Sequence, residues 1–271
     1  MPKIDKIQAA KKTKARYHIH LEEEGRAEYS FSVSEDILIQ EDLFKGKELT
    51  KEDIDRLRHS DELDKAYQRA LNYLSYRMRS EKEVAVYLKE QEVPEEEISH
   101  MIEKLRRLDF INDQRFADAF VRTKRDQSKK GPNIIRQELK QKGVEENIMN
   151  KSLDQYTPEE QLDLAIELAE KKQRSYKKES TRQKEQKLVQ FLVQKGFSHS
   201  VAAEALKEAD IDNDEDEQQE AISGWGEKSW RKFESEAPYK RRQKIKQALY
   251  RRGFPGDLID QWIDEKEMEE E

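Results

Sequence analysis

The sequence predicts a mainly α-helical protein, in which tandem three-helix, helix-turn-helix-like repeats form an elongated curved array behind a small N-terminal β-hairpin. Three observations predict it. One amphipathic segment, Lys187-Leu188-Val189-Gln190-Phe191-Leu192-Val193-Gln194-Lys195-Gly196-Phe197, recurs along the chain. Hydrophobic residues make up only 34% of the 271 and charged residues 41%, which suits thin helical layers better than a thick globular core. The apolar period is two over the first forty residues and helical thereafter.

The repeat is anchored on Leu88, Leu139, Leu192 and Leu249, which lie 51, 53 and 57 residues apart. Four residues before each stands an aliphatic residue, Val84, Ile135, Leu188 or Ile245, one turn away on the same helix face. Four residues after three of them stands Gly143, Gly196 or Gly253, where a left-handed C′ residue closes a helix without a Cβ clash. The first copy has Glu92 there, which leaves the geometry of its turn open. Apolar residues follow at five (Val93, Val144, Phe197, Phe254) and fourteen (Ile102, Leu153, Leu206, Ile263), so the match spans two helices and their turn.

Taken in order, Tyr17, Ile19 and Leu21 alternate with His18 and His20, and Tyr29, Phe31 and Val33 alternate with Ser30 and Ser32. This is a hairpin turning at Glu24-Gly25, with Ile37–Ile39 as a short third strand. A two-stranded hairpin is marginal alone and is expected to pack on the first helices. Thr50 with Asp53 opens a short helix to about Arg58. Leu63, Ala66, Tyr67, Ala70, Leu71 and Leu74 then form a core-facing stripe, and Ser80-Glu81-Lys82-Glu83 is a capping box. Pro94, as an N1 proline before three glutamates, starts the next helix. The first repeat thus has helices over 63–78, 80–91 and 94–107. The second has 113–125, 132–142 and 145–155, and the third, opened by Thr157-Pro158-Glu159-Glu160, has 158–173, 181–195 and 199–209. Asp210 to Glu217 reads as a solvated acidic linker, and a fourth repeat fills 218–268 before an acidic tail. Domain boundaries follow at 1–60, 61–112, 113–156, 157–211 and 212–271. Repeats of this size bury too little alone and complete their cores by stacking.

Composition excludes several function classes. Without cysteine there is no disulfide or thiolate site, as suits a reducing cytosol. No apolar leader opens the chain and no run approaches the ~20 residues that cross a bilayer, so a cytoplasmic protein without membrane contact is expected. There is no phosphate-binding glycine loop, no Gly-x-Ser-x-Gly and no His-Glu-x-x-His, and the sequence makes no case for catalysis or a cofactor. His18 and His20 share a strand face, but no third ligand lies nearby, and exposed strand positions explain them more simply than a metal.

The basic residues recur in place. Arg77, Arg79 and Lys82 precede the first anchor, and Arg122, Lys124, Arg125, Lys129 and Lys130 the second. Lys171, Lys172, Arg174, Lys177, Lys178, Arg182, Lys184 and Lys187 precede the third, and Arg231, Lys232, Lys240, Arg241 and Arg242 the fourth. Any one of them reads as a solvated helix face. Their recurrence at the end of each first helix and the start of each second predicts a stripe for a long polyanionic or acidic partner, despite a net charge of −7. Glu95, Glu96, Glu97, Glu145 and Glu146 on the third helices argue against reading a DNA groove. A nonspecific, salt-sensitive contact with single-stranded nucleic acid is the alternative function.

Tyr76-Arg77-Met78-Arg79-Ser80, Leu108-Asp109-Phe110-Ile111-Asn112-Asp113-Gln114-Arg115-Phe116-Ala117 and Lys130-Gly131-Pro132-Asn133-Ile134-Ile135-Arg136-Gln137-Glu138-Leu139-Lys140-Gln141-Lys142-Gly143 resemble the RecX regulatory proteins of bacteria. The resemblance is close over about 60–210 and holds only at the repeat level in the fourth unit. It implies a noncatalytic modulator of the RecA recombinase, acting in homologous recombination, DNA repair and the SOS response. Such proteins bind the RecA filament on single-stranded DNA, bridge neighbouring protomers, and reduce strand exchange, ATP hydrolysis and coprotease activity without a cofactor. A monomer is expected, with single-stranded DNA as a second candidate partner. By matching position the contact residues are Arg77, Arg79, Arg115, Arg122, Lys130 and Arg136, and the basic cluster adds Lys124 and Arg125. A local ion pair at the helix start Asn112-Asp113 is the competing role for Arg115, and Phe110 and Ile111 are read as core between units.

Overall fold

A computed structural model describes residues 1–11, 15–23, 26–211 and 215–270. The expected Glu24-Gly25 turn, Asp212 and Asp214 of the acidic stretch, and the final Glu271 of the tail lie outside the described residues. The chain divides into two compact units, Met1–Phe116 with Lys142–Val144, and Ala117–Gln141 with Glu145–Glu271.

In the first unit, β1 (Lys3–Ala9), β2 (Arg16–Glu23) and β3 (Arg26–Ser34) form an antiparallel sheet in that order. β2 and β3 are the expected hairpin, with Tyr17 opposite Val33 and Ile19 opposite Phe31. β1 is an additional strand. Its apolar residues Ile4 and Ile7 are an odd number apart, and a bulge between Ile4 and Lys6 returns both to one face, opposite Leu21 and Ile19. The third strand expected at Ile37–Ile39 is instead helix α1 (Glu35–Gln40). The Ser34 hydroxyl accepts from the Ile37 amide, and Glu35 and Asp36 occupy the positive end of the first turn.

Thr50 and Asp53 form the expected capping box, but the helix they open does not stop near Arg58. Residues 59–62 hold no glycine or proline, and a single helix, α2 (Lys51–Ser75), joins the two predicted segments and ends at Ser75, short of the expected 78. Its first half gives Ile54 and Leu57 to the sheet's core. Its second half gives Ala66, Tyr67 and Ala70 to a core shared with Val84, Leu88 and Leu105 of α3 (Glu81–Glu90) and α4 (Glu95–Arg107). Pro94 is the N-cap of α4 rather than its first helical residue. Ile111 is buried in the same core, whereas Phe110 is 53% exposed. Asp109 takes a left-handed backbone (φ 59°) at the end of α4, which turns Phe110 outward while the Phe110 amide donates to Leu105 O.

The remaining helices are α5 (Asp113–Asp126), α6 (Pro132–Gln141), α7 (Glu146–Leu153), α8 (Pro158–Gln173), α9 (Thr181–Gln194), α10 (His199–Glu208), α11 (Glu215–Lys232), α12 (Pro238–Arg251) and α13 (Gly256–Glu270). The second helices differ in length: α3 and α6 have 10 residues, α9 and α12 have 14. Two acidic segments behave differently from expectation. Glu215 to Glu217 is the first turn of α11 rather than linker. The tail is helical to Glu270, and its Asp264 and Glu267 pair with Arg242 of α12 at 2.6 and 2.8 Å.

All four anchor leucines and the aliphatic residues one turn before them are fully buried, as are or nearly are Val93, Val144, Phe197 and Phe254 after the turns. Leu206 is half-buried, because Ala202 and Ala205 face the core of the third repeat instead. Gly143, Gly196 and Gly253 have φ of 78°, 97° and 82°, and Glu92 takes the same left-handed conformation at 62°. The Val93, Phe197 and Phe254 amides donate back to Leu88, Leu192 and Leu249, so the turn without glycine is built like the others.

The three glycine turns share a further feature: each receives the start of another repeat's second helix. The Ser80 hydroxyl donates to Lys142 O at 2.7 Å, just before Gly143. The Gly131 amide donates to Lys195 O at 2.8 Å, just before Gly196. The Ser180 hydroxyl donates to Arg252 O, just before Gly253. A Cβ on Gly196 would sit 2.9 Å from Gly131 O, and one on Gly253 3.0 Å from the Ser180 hydroxyl. These glycines are needed for close approach as well as for φ. Glu92 is exposed and, among the described residues, receives no helix start, so it carries backbone strain without a close approach to accommodate.

Candidate partner-binding surface

The expected contact residues fall in groups organised about carboxylates. Glu83 is the N3 residue of the α3 capping box, so its carboxylate is fixed beside the Ser80 amide. It also accepts from Arg77 at 2.9 Å and from Lys142 at 2.6 Å. Burial pushes its pKa up, but hydrogen bonds from Arg77, Lys142 and the Ser80 amide outweigh this and hold it at about 2. Arg79, from the same linker, lies over the Tyr73 ring at 3.9 Å, and Tyr73 is stacked on Tyr87 at 4.1 Å. Arg115 pairs with Asp109 at 2.5 Å, so the local ion pair exists with Asp109 as the partner.

Glu138 of α6 plays the corresponding part further along. It takes Lys124 at 3.0 Å and also Lys130, and these cations lower its pKa against the opposing effect of burial. Arg125 pairs with Asp126 at 2.7 Å and with Glu160 at 2.8 Å. Arg136 donates to the Asn150 side chain at 2.5 Å. Arg122 is exposed and, among the described residues, makes no hydrogen bond or ion pair. Seven of the eight expected contact residues therefore already have an internal partner. An exposed pair such as Arg115–Asp109 contributes only about 0–1 kcal/mol and is readily exchanged for a partner's carboxylate or phosphate. The half-buried Glu83 cluster is bound to the fold far more firmly.

Sequence reasoning missed the carboxylates. The signal for Glu83 was present, since the capping box that orders it was recognised. Glu138 carried no signal, because its two lysines precede it by eight and fourteen residues in a chain with 59 acids. Among the described residues no group of three or more histidines and carboxylates is placed to hold a metal ion, and no helix is long and apolar enough to cross a membrane.

This arrangement of capped second helices and interlocked turns has close counterparts. Profiles described as the first, second and third three-helix domains of RecX match residues 66–105, 112–153 and 159–206, and the third matches again over 215–263. A RecX N-terminal domain profile matches residues 2–50. The chain belongs to the RecX family. Regulatory protein RecX of Bacillus licheniformis is 40% identical over 98% of this chain and 100% of its own length. That of Oceanobacillus iheyensis is 41% identical over the whole of both chains. A crystal structure of regulatory protein RecX, 44% identical, covers 77% of this chain and all of its own, with a TM-score of 0.69. A second, RecX from Lactobacillus salivarius, covers 56% of this chain at 40% identity and a TM-score of 0.54. The double match of the third RecX domain agrees with the helix lengths. The 14-residue α9 and α12 form one kind of repeat, and the 10-residue α3 and α6 another.

Proposed function

We propose that this RecX-family protein binds the RecA filament on single-stranded DNA and modulates it, mainly by inhibiting recombinase, ATPase and coprotease activities. The observation that carries the reading is the match of RecX domain profiles over residues 2–50, 66–105, 112–153, 159–206 and 215–263. On this reading the protein acts as a monomer in the cytoplasm, without a cofactor. In the first unit the exchangeable Arg115 makes contact, with Arg77 and Arg79 as further contact residues; in the second unit Arg122 and the exchangeable Arg136 do so, with Lys124, Arg125 and Lys130 beside them in the chain.

The test adds the purified protein to preformed RecA filaments and follows DNA-dependent ATP hydrolysis over time. Hydrolysis is expected to fall, and to stay low when single-stranded DNA is raised at fixed RecA. Full recovery with excess DNA would instead establish the nonspecific single-strand binder, and no effect at any ratio would sink both readings.

A further inference from the structure

A cleft of about 330 Å³ opens in the first unit where α1, α2 and α4 meet. None of the candidate contact residues lines it. Its polar sides are acidic, formed by Asp36 of α1, Glu41 just beyond that helix, Asp64 of α2 and Glu97 of α4. Arg56 pairs with Glu41 at 2.7 Å and Arg16 with Asp64 at 3.2 Å, whereas Asp36 and Glu97 have no hydrogen bond or ion pair among the described residues. Burial, together with the nearby Asp61 and Asp36, raises the Asp64 pKa against the opposing charges of Arg16 and Lys104, so the cleft is short of positive charge. Ile37, Leu63 and Met101 supply its apolar part.

Tyr67 also lines the cleft and is only 9% exposed. Its hydroxyl is sealed from water and makes no hydrogen bond among the described residues. Folding alone gives no reason to carry that cost, since phenylalanine would fill the same space. Lys104 lies over the Tyr67 ring, its ammonium 4.3 Å from the centroid, on an exposed side chain that can swing away. Asp36 and Glu97 each stand in the first turn of a helix, where a carboxylate offsets the helix dipole. That accounts for their sign, but not for an unsatisfied phenol in the same cleft.

Among the described residues no three or more histidines and carboxylates are gathered to hold a metal ion, so the cation that fits here is a larger, organic one. It has to offer several N–H donors to separate carboxylates and one to the phenol oxygen, and to lay a weakly hydrated face on an aromatic ring. A guanidinium does both, and a compact, strongly hydrated ammonium does not.

We infer that the cleft lined by Asp36, Asp64, Glu97 and Tyr67 binds an alkylguanidinium, the arginine side chain of a partner protein. The guanidinium takes the place of Lys104 over the Tyr67 ring and uncovers the hydroxyl, which accepts one of its N–H groups. Its remaining donors meet Asp36 and Glu97, and its methylene stem lies against Ile37, Leu63 and Met101.

N-acetylargininamide is the probe, titrated into the full-length protein at constant ionic strength and followed by the amide resonances of the lining residues. Asp36→Asn combined with Glu97→Gln is expected to bind at least about tenfold weaker. Tyr67→Phe should bind about fivefold weaker while its melting temperature without ligand holds or rises, as loss of an unsatisfied hydroxyl requires. Lys104→Met should bind about threefold tighter, because the resident cation is gone. Unchanged affinity in either the carboxylate variant or Tyr67→Phe, or N-acetyllysinamide binding as tightly as the arginine compound, would overturn the site. Two further probes separate the sources. A capped tripeptide with arginine between two alanines is expected to bind tighter than n-butylguanidinium, which assigns the site to a protein partner; equal binding would assign it to small soluble guanidines and overturn that partner.

Discussion

The Ser80 hydroxyl accepts from the Glu83 amide and donates at 2.7 Å to Lys142 O, so one buried oxygen both caps α3 and fastens the turn at Gly143. Ser80→Ala removes the cap and leaves the Lys142 carbonyl without that donor. A loss of about 2 kcal/mol is expected in urea unfolding. Ser99→Ala, on the exposed side of α4, should change the midpoint little.

The turns should rank by what they receive. Gly196→Ala forces both a left-handed alanine and a contact with the Gly131 backbone, and should cost about 2–4 kcal/mol. Glu92→Gly relieves strain and meets nothing, and should be neutral or stabilising by no more than about 1 kcal/mol. Thermal melts of the two variants side by side check the order.

Acid should unfold the protein partly through Glu83. Its folded pKa of about 2 lies below the model-peptide value of 4.5, so its contribution is complete above 4.5 and is lost as the pH falls from there towards 2. Glu83→Gln should lower stability at neutral pH and flatten the stability profile across that window. An unchanged slope between pH 4.5 and 2 would show that the cluster is not what titrates.

Charge reversals should separate binding from folding. Arg122→Glu touches no ion pair and should weaken inhibition of the RecA ATPase with an unaltered melting temperature. Arg77→Glu places a carboxylate against Glu83 and should lower the melting temperature as well. A folded Arg122→Glu that inhibits fully would remove that residue from the contact surface.

Much of the repeat was legible because its signals are local. Thr157-Pro158 and Ser80-Glu83 each settle a helix start within four residues, and an anchor leucine is fully buried in each repeat. The errors arose where a distant partner decides. Ile4 and Ile7 form a strand only because a bulge aligns them with β2, and α2 runs unbroken because two cores pull on its halves. Glu217 looked like solvated linker because nothing in its neighbourhood shows that Lys184, 33 residues earlier, is buried beneath it. The candidate contact residues were visible as cations, but their carboxylate partners were not. Whether a guanidinium is engaged, as Arg77 is by Glu83, depends on how the capping box and the linker before it are placed in the fold.

The glutamate at position 92 carries a consequence for how the protein could be extended or shortened. Each glycine turn is a socket into which the preceding repeat plugs, and a socket that nothing enters is free to drift in sequence. Residue 92 therefore marks the leading end of the series. A repeat grafted ahead of the first would have to bring glycine back at 92, whereas one grafted behind the fourth would carry its own socket and ask only that the start of α12, at Ala237 and Pro238, supply a plug.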